Sequence, residues 1–349
     1  VSNQMILKQD LLRNFSEKIF IKAGLLKDDA KIYADALIQA NLEGIDSHGV
    51  SKLPIYFKRF VEGRVNAKPS IKIDHTAPGT IIADGDNGPG PIVSKRTIDA
   101  SLDIMKEIGI VGVGVNNSNH FGAASYYCKQ ACNQQAICIA FTNAPANIAP
   151  WGGKEPYFGT NPIAFGFPNG SEPPIIIDMS SSIVAKAKIR IAEEKKEAIP
   201  VGWAVDQNGN QTTDPMEALK GTILPIAGPK GYALALSVEI ISGLLTGAAF
   251  GNHVQGFNDN NAGIANVGHF FILIDINKFM DISVYEQLIQ QMITEIKEIP
   301  KASGVDEILI PGERRASKAK LRSEKGIPVP VATINKLNEL AKQEQVRFM

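Results

Sequence analysis

Apolar residues recur at helical spacing near the two ends of this chain, whereas between the ends they come in short runs. That division constrains the fold more than any single motif. Near the start, Leu11, Leu12, Phe15 and Ile19 repeat with the helical period, and Asp28 precedes a second periodic run through Ile32, Ala36 and Ala40. From Ile71 onward, short apolar runs at 80–84, 110–115, 136–142, 175–177 and 270–275 alternate with helical patterns at 94–107 and 123–133, separated by turn residues. The amphipathic pattern at 285–298 and a last helix from about Thr333 return to the texture of the opening segment. The predicted class is therefore α/β, with a body at 75–283 and a discontinuous helical domain formed by both chain ends, 1–74 and 284–349.

With 349 residues, 44% of them hydrophobic, the chain can bury a large core. Lys plus Arg and Asp plus Glu both total 36, so no global field draws it to nucleic acid or to an anionic membrane. Cys128, Cys132 and Cys138 lack the paired spacing of a zinc site, and an odd number suits a reducing compartment. They read as buried thiols. No basic-then-apolar signal precedes the first helix, Val1 to Asn3 read as a remnant of processing, and the expected location is the cytoplasm. The most apolar stretch, 231–251, approaches membrane-span length but carries Glu239, Ser237 and several glycines, so it reads as a helix of the core or of a subunit interface.

The nearest approach to a dinucleotide fingerprint is Gly112, Gly114 and Asn117, where the third glycine is missing, so no Rossmann fold is expected. Asp84 to Gly90 forms a turn without the spacing or the lysine of a phosphate loop. Glycine- and proline-rich segments dominate 143–168, and so much loop inside an ordered body marks a site. No HExxH and no GxSxG occurs, which disfavours a local zinc site and a serine hydrolase; no metal is expected.

Two of the five histidines sit in unusual contexts, His48 after Ser47 and before Gly49, and His120 between Asn119 and Phe121. A histidine titrates near neutrality, so it can protonate a carbonyl oxygen and take the proton back in reverse. Ser47 either fixes the imidazole of His48 or caps the helix that runs through Tyr56. That helix would place His48, Lys52 and Tyr56 on one face, presenting a proton donor, a cation and a hydroxyl to one ligand.

Ser47-His48-Gly49, Asn119-His120-Phe121-Gly122, Phe158-Gly159-Thr160-Asn161-Pro162, Asp178-Met179-Ser180-Ser181-Ser182, Thr212-Thr213-Asp214-Pro215, Gly228-Pro229-Lys230-Gly231-Tyr232 and Pro311-Gly312-Glu313 follow one another almost end to end. In this order they resemble the malate/L-lactate/ureidoglycolate dehydrogenase family, which includes L-sulfolactate dehydrogenases and diketogulonate and piperideine-carboxylate reductases. The resemblance implies a homodimer with a non-Rossmann α/β cofactor domain and a nicotinamide-dependent oxidoreductase acting at C2 of a small 2-hydroxy or 2-oxo acid. It makes His120, His48 and Ser47 the catalytic group, with His120 slightly favoured as proton donor, and leaves Lys52 and Tyr56 to orient the acid. Asp178, Met179, Ser180, Lys230, Pro311, Gly312 and Glu313 would hold the cofactor, NAD, with NADP as the alternative.

The chain departs from the family pattern at several points. Lys52 stands where many members have arginine, 260–266 holds no Arg or Lys where ureidoglycolate dehydrogenase has arginine, Ala144 replaces a serine, and Ala187 replaces a glycine before Lys188. The acid itself stays open. The basic run Arg314, Arg315, Lys318, Lys320 and Arg322 reads as a solvated helix face or as a contact for a 2′-phosphate. Two other classes compete: a degenerate relative that senses cofactor or metabolite without turnover, and a metal-dependent lyase or hydrolase built on His48 and His120.

Overall fold

The structure is a computed structural model that describes residues 4–256 and 263–349. Val1 to Asn3, and 260–262 of the segment without Arg or Lys, lie outside the described residues. The chain opens with β1 (Gln4–Leu7), α1 (Gln9–Lys22), α2 (Lys27–Leu42) and α3 (Leu53–Val61). The body follows as β2 (Lys72–Ala77), β3 (Thr80–Asp84), α4 (Gly90–Ile108), β4 (Ile110–Ser118), α5 (Ser125–Cys132), β5 (Ala136–Thr142), β6 (Ile163–Phe167) and β7 (Ile175–Met179). Next come α6 (Lys186–Lys195), β8 (Ala204–Val205), β9 (Gln211–Thr212), α7 (Pro215–Lys220), β10 (Thr222–Ile223), α8 (Pro229–Glu239) and β11 (Val267–Asp275). The chain closes with α9 (Ile282–Glu298), α10 (Glu313–Lys325), β12 (Ile327–Pro330) and α11 (Val331–Gln343).

Seven strands form one mixed sheet in the order β2-β3-β4-β11-β5-β6-β7. Only β3 and β4 run parallel, joined by the α4 crossover that a parallel pair requires; the other neighbours are antiparallel. Such a sheet is not doubly wound, which agrees with the incomplete glycine fingerprint. Gly112 and Gly114 lie in the middle of β4, and a Cβ on Gly114 would stand 2.8 Å from Ile82 and 3.3 Å from Thr246. These glycines make room for side chains on the sheet face and present no phosphate loop.

The opposite face of β4 buries Val111, Val113 and Val115 with Phe271 and Leu273 of β11, Ile98 and Met105 of α4, and Tyr127 of α5. All three cysteines are buried and free, and burial, acting first, pushes the thiol of Cys128 well above its ordinary range. They are packing groups, as the sequence indicated.

A second core joins the chain ends. Leu12, Phe15 and Ile19 of α1 and Tyr33 and Leu37 of α2 pack with Ile334, Leu337 and Leu340 of α11 and with Phe348. The strand β1 pairs with β12 in register Gln4↔Pro330 to Leu7↔Ile327, a pairing that neither segment announces by itself. By contrast α9 turns Ile289 toward Ile175 and Ile310, so it packs on the sheet margin at β7. Val184, Ile189, Ile199, Ala204, Ala218 and Ile223 make a further small core, where α6 and α7 cover the short sheet β10-β8-β9. Among the described residues no helix is long and apolar enough to cross a membrane.

Candidate active site

The segment from Asp46 to Tyr56 is not the single helix that the spacing suggested. Two separate 3-10 turns, Asp46–His48 and Val50–Lys52, precede α3, and Pro54 sits in the first turn of α3, where its missing N–H costs no intrahelical bond. Asn41 Oδ1 takes the Val50 amide at the break, and only glycine fits before it, since a Cβ at Gly49 would stand 2.1 Å from that oxygen. Ser47 therefore caps no helix. Its hydroxyl lies 2.9 Å from His48 Nδ1 and orients that ring.

His120 follows β4, and the residues before it are fixed from several sides. Asn119 donates through Nδ2 to the Asn87 carbonyl, to Asn87 Oδ1 and to the Gly88 carbonyl, each at 3.0 Å, so the turn at 84–90 serves as its scaffold. Gly90 permits the contact, since a Cβ there would fall 2.3 Å from the Asn119 carbonyl. Behind the neighbouring Phe121 lies His269, fully buried, stacked on that ring at 4.6 Å, and bonded through both nitrogens to Thr142 and Ser118. Burial holds His269 down at about 3, a neutral core histidine.

His48 and His120 meet face to face, with ring centroids 5.5 Å apart and planes 22° from parallel. The Tyr56 hydroxyl stands 2.8 Å from His120 Nδ1, behind the ring. Both histidines, with Phe121, Gly122, Thr142, Asn143, Ala144, Thr160 and Pro162, line a cavity of about 70 Å³, room for a small organic molecule. Burial lowers the pKa of both rings; for His120 the neighbouring His48 and Lys52 add to it, and for His48 the carboxylate of Asp178 opposes it. Neutral imidazoles result, competent as proton acceptors at neutral pH. The ammonium of Lys52 is also pushed down, by burial first and by Arg190 second, so cationic side chains gather on this side.

Asp178, at the end of β7, reaches elsewhere than the next helix. Its carboxylate accepts the Ser125 amide at the start of α5 at 3.2 Å and Arg315 Nη1 at 3.1 Å, while Arg315 Nη2 donates to its carbonyl. Met179 is half-exposed beside it, and the Ser180 hydroxyl pairs with that of Ser182 at 2.9 Å. Lys230 stands exposed in the first turn of α8. Pro311, Gly312 and Glu313 line a different cavity, about 560 Å³, between α9 and α10. There Glu313 pairs with Lys297 at 2.5 Å and accepts the Ile310 amide, and Gly312 lies against the backbone of Ile176. The strand β7 thus runs from this second cavity to the neighbourhood of His48.

The basic run of α10 was legible only as a solvated face or a phosphate contact, yet two of its members turn inward. Arg315 takes Asp178, and Arg322 grips Asp46 with bonds of 2.8 and 3.1 Å while also donating to the Asn41 carbonyl. Their spacing of seven residues, two helical turns, was the available signal. Among the described residues no group of His, Cys, Asp and Glu is arranged to hold a metal ion.

A nicotinamide cofactor can be tested against these walls. Gly122 has φ +82° with open space where a Cβ would stand, so its backbone can lie flat against a ring at the mouth of the cavity. A lysine in the first turn of α8, whose amides point outward, suits a pyrophosphate. The residues present fit the group.

The family model described as malate/L-lactate dehydrogenase matches residues 7–338. The chain is 39% identical over 339 residues to the L-sulfolactate dehydrogenase of Methanocaldococcus jannaschii, covering 97% of each. It is 31% identical to the ureidoglycolate dehydrogenase (NAD(+)) of Escherichia coli strain K12, covering 93% of each. A solved structure of malate dehydrogenase from Pyrococcus horikoshii OT3 superposes with a TM-score of 0.91 at 35% identity, over 99% of this chain and 97% of that one.

Proposed function

The chain belongs to the malate/L-lactate dehydrogenase family, and from that premise we propose that it is an NAD(P)-dependent dehydrogenase interconverting a small 2-hydroxy acid and its 2-oxo acid, with His120 as the acid-base group. One observation carries the assignment of His120: its ring lines the cavity face to face with His48, while the Tyr56 hydroxyl at its Nδ1 fixes the ring's orientation there. When bound, the nicotinamide accepts or supplies the two electrons and hydrogen exchanged at the substrate's C2. In the oxidation direction the neutral His120 takes the hydroxyl proton at Nε2, and Tyr56 holds the ring in the tautomer that carries its proton on Nδ1. In reduction the same nitrogen returns the proton to the carbonyl oxygen.

His48, oriented by Ser47, stacks over His120 and walls the reacting oxygen from water. Lys52, near Arg190, supplies positive charge for the acid's carboxylate. Asp178, Met179, Ser180 and Lys230 are proposed to hold the cofactor, with Pro311, Gly312 and Glu313 at the far end of β7. NAD is the favoured cofactor, because Arg315 is already engaged by Asp178 and Arg322 by Asp46, which leaves the basic run fewer groups for a 2′-phosphate.

A second copy of the chain is the proposed partner. Leu236, Ile240, Leu244 and Leu245 stand exposed along α8 and the π turn that extends it, an apolar stripe that suits a dimer interface. The reaction is tested by following NADH and NADPH oxidation with oxaloacetate, pyruvate, sulfopyruvate, oxalurate, diketogulonate and a cyclic imine acid, with and without chelator. Chelator-insensitive turnover supports the reading and names cofactor and substrate together. Cofactor binding without turnover favours a sensor, and turnover that needs a metal and no nicotinamide refutes the proposal.

A further inference from the structure

We propose that Glu239 is a positioning residue that sets the charge of the nicotinamide site, a carboxylate held by N–H donors alone behind the wall formed by Asn143 and the segment Thr160 to Pro162. The proposal rests on the dehydrogenase reading above. Glu239 is 3% exposed and closes α8 where the helix widens into the π turn Ile240–Leu244, a distortion that recurs at functional sites. Its Oε1 accepts the Gly251 amide at 2.8 Å and Asn143 Nδ2 at 3.3 Å, and its Oε2 accepts Asn161 Nδ2 at 2.6 Å.

The direction of these bonds is fixed by backbone groups. Asn143 Oδ1 accepts the Gly268 amide while its Nδ2 also donates to the Ala249 carbonyl, and Asn161 Nδ2 also donates to the Ala235 carbonyl. Neither amide can flip without opposing like poles. Donors alone face Glu239, so both of its carboxylate oxygens serve as acceptors. Asn161 Oδ1 is buried with no hydrogen-bond partner among the described residues, so its amide is held toward the carboxylate at a cost.

No ion pair among the described residues involves Glu239. A buried charge without a counter-ion is expensive, and it becomes favourable only when an opposite charge arrives nearby. The oxidised nicotinamide ring is the cation that the reaction brings, and the reduced ring is neutral. Asn143 lines the cavity beside His120, and Thr160 and Pro162, which flank Asn161, line it as well. Glu239 therefore stands one side chain behind that wall, where it favours the oxidised form of the cofactor over the reduced form.

The test is the ratio of dissociation constants for NAD+ and NADH, measured by fluorescence titration on the full chain without substrate. Glu239→Gln should raise Kd(NAD+)/Kd(NADH) about tenfold, the scale of a unit charge acting across about 12 Å at an effective dielectric of about 20. Glu239→Asp, which keeps the charge on the same side of the wall, should hold the ratio within about threefold of the wild type. A merely structural role would weaken both cofactors equally, and an unchanged ratio in Glu239→Gln overturns the proposal. Should either variant fail to fold, the wild type still decides: NAD+ must bind more tightly than ADP-ribose, which lacks the ring, and equal or weaker binding refutes the inference. Wild-type protein that binds neither dinucleotide would refute the dehydrogenase reading itself, an outcome separate from an unchanged ratio.

Discussion

The grip of Arg322 on Asp46 ties helix α10 to the turn that carries Ser47 and His48, so breaking it should lower stability and activity together. The guanidinium is 12% exposed and the carboxylate 43%, so the pair is partly screened and contributes about 1 kcal/mol rather than the several of a buried pair. Arg322→Ala also strips the Asn41 carbonyl of a donor, adding about 1 kcal/mol, for a total near 2 kcal/mol. Asp46→Asn keeps the shape and loses the charge, costing about 1 kcal/mol. In urea unfolding the double variant should be less destabilised than the sum of the singles by about 1 kcal/mol. Because the loosened turn carries His48, kcat/KM for Arg322→Ala should fall about tenfold, equivalent to some 1.4 kcal/mol of transition-state stabilisation. A coupling below about 0.3 kcal/mol, within the scatter of independent sites, or an unchanged kcat/KM, would refute the idea that α10 supports the catalytic turn.

His120→Ala should reduce turnover at least about a hundredfold, the scale of losing an acid-base group, with unchanged circular dichroism; near-normal activity removes His120 from the mechanism. His48→Ala should show a comparable loss, and kinetics at saturating substrate will separate a catalytic from a binding defect. Tyr56→Phe frees the imidazole to adopt the wrong tautomer, so kcat should drop about tenfold while NADH affinity holds, and equal kcat would exclude the orienting bond. Burial lowers the pKa of His48, His120 and His269, the last to about 3, so the folded state prefers neutral rings. That contribution is fully present above about pH 6.5 and is lost as pH falls from there toward 3; from His269 alone the unfolding free energy should fall by about 3 kcal/mol at pH 4. Stability that stays level between pH 7 and 4 would contradict it.

Much of the architecture was legible in the chain because local periodicity and turn chemistry carry it. The runs that became β3, β4, β5 and β11, and the patterns that became α4, α9 and α11, bury one face each, and a buried face leaves a period in the sequence. The missing third glycine excluded a Rossmann loop for the reason the sheet displays, that Gly112 and Gly114 serve packing against Ile82, Phe270 and Thr246. Ser47, His48 and His120 stood out as chemical groups in short motifs of their own.

Tertiary structure decided what depends on long separations in sequence. Nothing local shows that Gln4–Leu7 would pair with Ile327–Pro330, because a four-residue strand is defined by its partner. The helix expected through Tyr56 gave way to two turns, and at the break Asn41, from α2, takes the Val50 amide that a helical ladder would have used. Tyr56 was read as facing the substrate, and the fold adds a contact of its hydroxyl with His120 Nδ1 that the sequence did not show. Arg315 and Arg322 were read as a solvated face or a 2′-phosphate contact and Glu239 only as a charge within an apolar stretch, until the fold supplied Asp178, Asp46 and a ring of N–H donors. Sequence alone determined which residues can do acid-base chemistry and which segments bury a face. Only the fold decided which nitrogen of His120 meets Tyr56 and which charges lie behind the walls, because hydrogen bonding and desolvation are properties of neighbours that chain order does not specify.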